Sequence, residues 1–494
     1  LTWCEIKNLQ SVPLADIPVM KFSSLRNQCI EMISKGCRVV QFFGDMDKDC
    51  IILYVVLADD EQSKLYLAAS SFSENESFES ITPEVKSFHL FEREFYEQFG
   101  IKPDGHPWLK PVRKGIAGVS GNEEQYEFFK MGGEEVHEVG VGPIHAGIIE
   151  PGHFRFSCHG EKIYNLEIEL GFQHRGIEEL FIRKSSPIYL LKLSESIAGD
   201  TVIGHTGTFV RAIESLGEID ISRSAMAIRV IAIELERIGI HLGDLSAISG
   251  DVAYLTGNAV FGALRTKVIN TTMAICGSRF GHDFITIGGV NYGIDKVLKD
   301  EISQMLAKLE KDAELASEVL FSSASVLARF EKTGIVSYQT AKEVGLVGPA
   351  GRASGIALDV RSDHPYGGFS QFPVHKLTLK TGDVFARAYI RYVEIMQSIR
   401  IIKEAVEYSM EDELRKEGGG LLPNRIVVSM SEGWRGEIVH AAITDESGKL
   451  KRYKIKDPSF NNWIGVALAV RNNGISDFPL CNKSFNLSYS GFDL

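Results

Sequence analysis

The chain has 494 residues, 44% hydrophobic and 24% charged, with 47 Gly and 15 Pro, which excludes disorder, collagen-like repeats and coiled coil and leaves room for about three domain-sized units. Its net charge of −12 argues against nonspecific nucleic-acid binding, because a phosphate-neutralising surface needs an excess of Lys and Arg. Nothing reaches the roughly 18 uninterrupted apolar residues of a membrane span; the most apolar run, 224–242, is broken by Arg229, Glu234, Glu236 and Arg237.

Residues 1–113 read as a small α+β unit. Segments 39–43, 51–58 and 64–71 are rich in β-branched and aromatic residues, and the first two flank the polar stretch 44–49, which predicts a hairpin turn. Phe91, Phe95 and Phe99 recur at helical spacing among Glu92, Arg93, Glu94 and Glu97, giving a helix over 90–99 one buried face. Residues 114–140 are rich in Gly and Glu and read as an exposed linker. From 141 to 494 the pattern is one large, mainly helical unit with peripheral strands: a strand at 163–170, helices at 222–246, 295–330 and 382–410, and a hairpin at 425–430 and 437–444. The fold class is α+β.

Seven scattered cysteines and no signal-peptide pattern point to a soluble chain in a reducing cytoplasm. No two cysteines stand in a C-x2-C or C-x4-C relation, so a self-contained zinc or iron–sulfur site is not expected. Walker A, strand-to-helix G-x-G-x-x-G and G-x-S-x-G patterns are absent, which lowers nucleotide binding and hydrolase chemistry. His145, His153 and His159 share a short run with Glu150, Gly147 and Gly152; they either line a cavity as a proton relay or face solvent on a glycine-punctuated turn. Glu234, Glu236, Arg237, His241 and Asp244 fall on an otherwise apolar helix, and Arg352, Asp359, Arg361 and Asp363 form a second charged set. Ionised groups in such settings are costly unless paired, so each set predicts a buried polar network.

Residues 142–156 (GPIHAGIIEPGHFRF) and 171–176 (GFQHRG) resemble the large subunit of membrane-bound energy-converting [NiFe]-hydrogenases of the formate hydrogenlyase type, and also the quinone-module subunit of respiratory complex I. Glu234 to Arg237 with His241, and blocks 277–290, 348–363 and 457–489, fit the same pattern, while residues 92–94, 99–101 and 105–107 resemble the 30 kDa-type subunit of complex I. The resemblance implies a peripheral subunit on the cytoplasmic side of the cell membrane. Its implied neighbours are an iron–sulfur small subunit carrying a [4Fe–4S] cluster, a ferredoxin-like electron-input subunit, and antiporter-like and anchor subunits of a membrane arm. The implied activity is electron transfer coupled to ion translocation.

The family's nickel site takes two C-x2-C pairs, and the matching positions here are Ala198 and Thr201, then Ser459 and Asn462. No Ni–Fe site, and no cofactor held by this chain, is therefore expected, which resembles the energy-converting-hydrogenase-related class. Gly199 stands where complex I has its quinone-binding tyrosine. By the same resemblance Glu150 matches a proton-passing glutamate, Arg175 beside His174 faces the partner's cluster, and Gly281 takes the place of a cluster-bonding histidine, with His282 next to it. Asp200 and His205 are expected to pair as proton donors in the remaining cavity, with Gly199, His145 and His153 on its wall, for reduction of a quinone or other small acceptor. The alternative is a catalytically silent adaptor between electron-input subunits and the membrane arm.

Overall fold

The computed structural model describes residues 3–74, 76–113, 127–145, 149–184, 186–409 and 413–494. It is α+β, 47% helix and 20% strand, with small sheets around a large helical region. No helix among the described residues is long and apolar enough to cross a membrane.

The N-terminal sheet is antiparallel, in the order Cys4–Ile6, Lys64–Phe72, Cys50–Asp59, Arg38–Asp47. Helices Phe22–Ser34 and His89–Phe99 pack on it, and Phe42 of the edge strand meets Phe88 and Phe95 edge-on at 5.8 and 5.7 Å. The turn is tighter than the sequence suggests: pairing continues to Asp47 opposite Cys50, leaving only Lys48 and Asp49 to turn. Gly44 belongs to the strand, opposite Leu53, and a Cβ there would collide with the Phe95 and Phe99 rings.

In the large unit the helix Arg223–Asp251 lies between Leu255–Cys276 and Val384–Ala405. Ser222 caps its start, its hydroxyl accepting from the Ala225 N–H. The helix expected over 295–330 breaks at Ser323 into Lys296–Ser322 and Ala324–Phe330, and the one expected over 382–410 gives way at Val406–Tyr408 to a tighter 3-10 turn. Several helices, Val202–Leu216, Leu255–Cys276 and Pro458–Ala469 among them, have no counterpart in the sequence reading. In the first only Ser215 escapes burial, so it has no polar face to betray its period.

Val202–Leu216 packs against a second antiparallel sheet ordered Leu450–Lys456, Gly436–Thr444, Arg425–Gly433, Val12–Pro13. That last strand brings the N-terminal segment into the large unit's sheet. A third sheet pairs Val136–Val141, His153–His159 and Lys162–Glu169, so the end of the expected linker is a strand. Residues 114–126 of that linker, and Gly147 of the histidine-bearing loop, lie outside the described residues.

Charged pairs join the two units. Arg38 holds Asp60 at 2.7 Å and reaches Glu437 at 2.5 Å, and Lys456 approaches Glu437 at 2.8 Å from the other side. Lys454 bridges Glu94 and Glu178 at 2.7 and 2.8 Å. Burial works to raise Glu437, yet the two cations hold it at about 2.

Candidate active site

His205 enters one turn into the helix Val202–Leu216 and is fully buried. Its Nε2 lies 3.0 Å from Asp457 Oδ2, and its Nδ1 lies 3.1 Å from His440 Nε2. His440 Nδ1 in turn lies 2.7 Å from the Tyr453 hydroxyl. Two strands and a helix cap thus converge on one helix to make a four-membered chain. Asp457 is placed as the N-cap of Pro458–Ala469, accepting from the Ser459 N–H at 2.7 Å.

The direction of the chain follows from counting donors. Tyr453 is fully buried and its hydroxyl has no second partner among the described residues, so its hydrogen goes to His440 Nδ1. His440 must then carry its proton on Nε2 and donate to His205 Nδ1, and His205 must donate from Nε2 to Asp457. Burial, and then the neighbouring His205, hold His440 far below the usual imidazole range, consistent with one ring proton. Burial works to raise Asp457; the His205 bond and the Arg435 charge overcome it and keep the carboxylate ionised.

Asp200 is not part of this chain. Arg435 grips it with two bonds of 2.6 Å, donates to Thr201 Oγ1 and the Asn486 carbonyl, and stacks 3.9 Å over Trp434. The expected Asp200–His205 pair therefore does not form: His205 turns inward to Asp457, and a nearer cation takes Asp200. Gly199 is exposed, and a Cβ there would meet no atom within 4 Å.

The stretches 196–205 and 457–462 are brought together by the His205–Asp457 bond. Their four positions of interest are Ala198, Thr201, Ser459 and Asn462, all buried. Thr201 donates to Asp200, Ser459 Oγ accepts from the Ser488 N–H, and Asn462 pairs with both backbone groups of Val347.

The remaining candidates lie outside this chain. Glu150 accepts from the N–H groups of Tyr489 and Ser490 at 3.2 and 3.4 Å. Gly491 follows directly, and a Cβ on it would press on Asp457, so this short turn separates Glu150 from the chain. Arg175 donates to the carbonyls of Ser196, Ile197 and Ser490, and His174 Nδ1 lies 2.8 Å from the Asp493 carbonyl. His282 pairs with Glu195 at 3.1 Å on the same side. His145 and His153 instead bond the carbonyls of Gly152 and Gly142 at 2.8 and 3.0 Å, and His159 meets exposed Glu135. These three staple their own loop and sheet and do not converge on His205.

Most of the two charged sets forms one network, while Asp244 pairs with Arg391 at 2.6 Å. Arg361 holds Asp359 at 2.7 Å and reaches Glu234 at 2.9 Å; Arg237 donates to Glu234 at 3.2 Å and to the Glu432 and Gly433 carbonyls. Arg352 spans Glu394 and Glu432 at 2.7 and 2.8 Å, and His241 Nε2 meets Glu394 at 2.9 Å. Burial and the Asp359 charge push Glu432 up to about 7. Glu236 leaves this network for the N–H groups of Ile203 and Gly204 at 2.7 and 3.1 Å, at the start of the His205 helix; burial pushes it to about 8.

His440, Tyr453, Arg435, Glu394 and Glu432 were invisible to the sequence reading, because each acquires its partner across more than ten residues of chain. The Asp-Pro step at 457–458 is the one local signal, an N-cap followed by proline at the first helical position.

Comparison with known proteins follows the same two-part division. Residues 17–113 match the family described as respiratory-chain NADH dehydrogenase, 30 Kd subunit, and residues 251–420 match the one described as its 49 Kd subunit. Hydrogenase-4 component G of Escherichia coli is 27% identical over 89% of this chain and 80% of its own length. The carbon monoxide-induced hydrogenase of Rhodospirillum rubrum is 30% identical over 71% of this chain and 97% of its own, and an NADH-quinone oxidoreductase subunit from Clostridium beijerinckii is 30% identical over 62% and 83%. Fold and matches together define a subunit of an oxidoreductase complex. The chain belongs to the family of complex I 49 kDa subunits and energy-converting hydrogenase large subunits, here following a 30 kDa-type unit.

Proposed function

We propose that the chain is the large subunit of a membrane-associated redox complex. In it, electrons from a [4Fe–4S] cluster in a neighbouring small subunit reduce a small acceptor, a quinone or similar molecule, at the Gly199 opening, and this reduction is coupled to ion translocation. The observation that carries this reading is the buried Tyr453–His440–His205–Asp457 chain. A proton that His205 Nε2 delivers through the Asp457 carboxylate is replaced at His205 Nδ1 from His440 Nε2, and at His440 Nδ1 from the Tyr453 hydroxyl. Arg435 links the chain's acidic end to Asp200, one residue from Gly199.

The donor set does not fit a Ni–Fe centre. Ala198, Thr201, Ser459 and Asn462 supply no thiolate, and their polar groups are already bonded locally. The small subunit is placed against the face bearing Arg175 and His282, where Ile188 and Tyr189 are exposed at 73% and 39%. A cation beside a cluster raises its potential, which gives Arg175 its role.

The test is the EPR signal of the partner's cluster in the anaerobically reduced whole complex, followed after adding a menaquinone analogue. Rapid loss of the signal, blocked by Gly199→Trp, is expected. A cluster that stays reduced in the unaltered complex overturns the quinone-type site and favours the silent adaptor, for which Arg435 filling the space beside Asp200 speaks.

A further inference from the structure

A separate, partly open cavity of about 20 Å³, room for one small group, is lined by Arg211, Met226, Arg229, Tyr366, Gly367 and Phe369. Arg211 is 8% exposed and donates to Ser431 Oγ at 2.6 Å, but its Nε has no partner among the described residues. Its guanidinium lies 4.6 Å from the Tyr366 ring centre, and Gly207, one turn earlier, leaves the room it occupies: a Cβ there would sit 3.2 Å from two of its nitrogens. Arg229 is the second cation. Glu214 grips it at 2.6 and 2.9 Å and also accepts from the Gly288 N–H, so this carboxylate is spent. Two guanidiniums thus face one carboxylate, and burial lowers Arg211 to about 10, with Arg229 repelling it. The Tyr366 oxygen accepts from the Glu432 N–H at 3.0 Å, which leaves its O–H free to donate.

We infer that this cavity binds a small monovalent anion, a halide or a one-carbon oxyanion, held by Arg211 and the Tyr366 hydroxyl. A single uncompensated buried charge calls for a single counter-charge. The space falls below that of pockets for drug-sized ligands, which excludes nucleotides and phosphorylated sugars.

The test uses the full chain at constant ionic strength, with chloride, bromide or formate replacing gluconate. Thermal melting is expected to shift upward saturably, and the anion giving the lower half-maximal concentration distinguishes halide from oxyanion. Arg211→Met is expected to raise that concentration by more than about tenfold and Tyr366→Phe by a smaller factor. Bromide-soaked crystals, which need no variant, are expected to show an anomalous peak in the cavity beside the Arg211 guanidinium. No saturable shift, a shift unchanged in Tyr366→Phe and Arg211→Met, or a bromide map with only water in the cavity would each overturn the assignment.

Discussion

The His205 chain and the Arg361 network are both buried in the large unit, yet they are built from opposite chemistry. In the network, three arginines face Glu234, Asp359, Glu394 and Glu432. Guanidinium does not give up its proton, so these contacts fix geometry. In the chain, two imidazoles stand between a phenol and a carboxylate, and each ring can accept on one nitrogen while donating from the other. Burial alone therefore does not mark a working site. What marks it is a row of groups whose protons can move.

The largest expected effect lies in the network. Arg361→Met leaves Asp359 and Glu234 short of their cation and is expected to cost about 3–5 kcal/mol in urea unfolding; a loss under 1 kcal/mol would remove the distinction between the two regions. His440→Gln keeps side-chain hydrogen bonding but cannot pass a proton through a ring. In the whole complex it is expected to slow acceptor reduction on the order of 10²-fold, with little change in melting temperature; the reverse pattern would make the chain structural.

The smallest effect concerns the strand Gly436–Thr444, which carries His440 of the chain and Glu437 of the ion pairs that join the two units. Glu437 is depressed to about 2 in the folded chain from an ordinary 4.5. Its contribution is therefore fully present above about pH 4.5 and is lost as the pH falls toward 2. Melting curves across that window are expected to show a decline that Glu437→Gln reduces, and a decline left unchanged by that substitution would show that Glu437 is not among its sources.

Much of the fold was legible because its segments declare their type locally: the phenylalanines of His89–Phe99 recur at helical spacing, and Cys50–Asp59 is an unbroken run rich in β-branched and aromatic residues. Val202–Leu216, the helix that positions His205, did not, because it is buried all round. Charged positions were legible as requiring partners, but which partner was not. Asp200 and His205 lie five residues apart and looked like a pair, and the fold gives one to Arg435 and the other to Asp457. Proximity in sequence is a weak guide where side chains from three elements meet.

The central claim is that the buried chain points toward Asp457. The most direct measurement is 15N NMR of the histidine side chains in the full protein, with His205 and His440 assigned by single substitution. Both rings are expected to be neutral with their protons on Nε2. A proton on Nδ1 of either ring, or a doubly protonated ring in the resting protein, would contradict it.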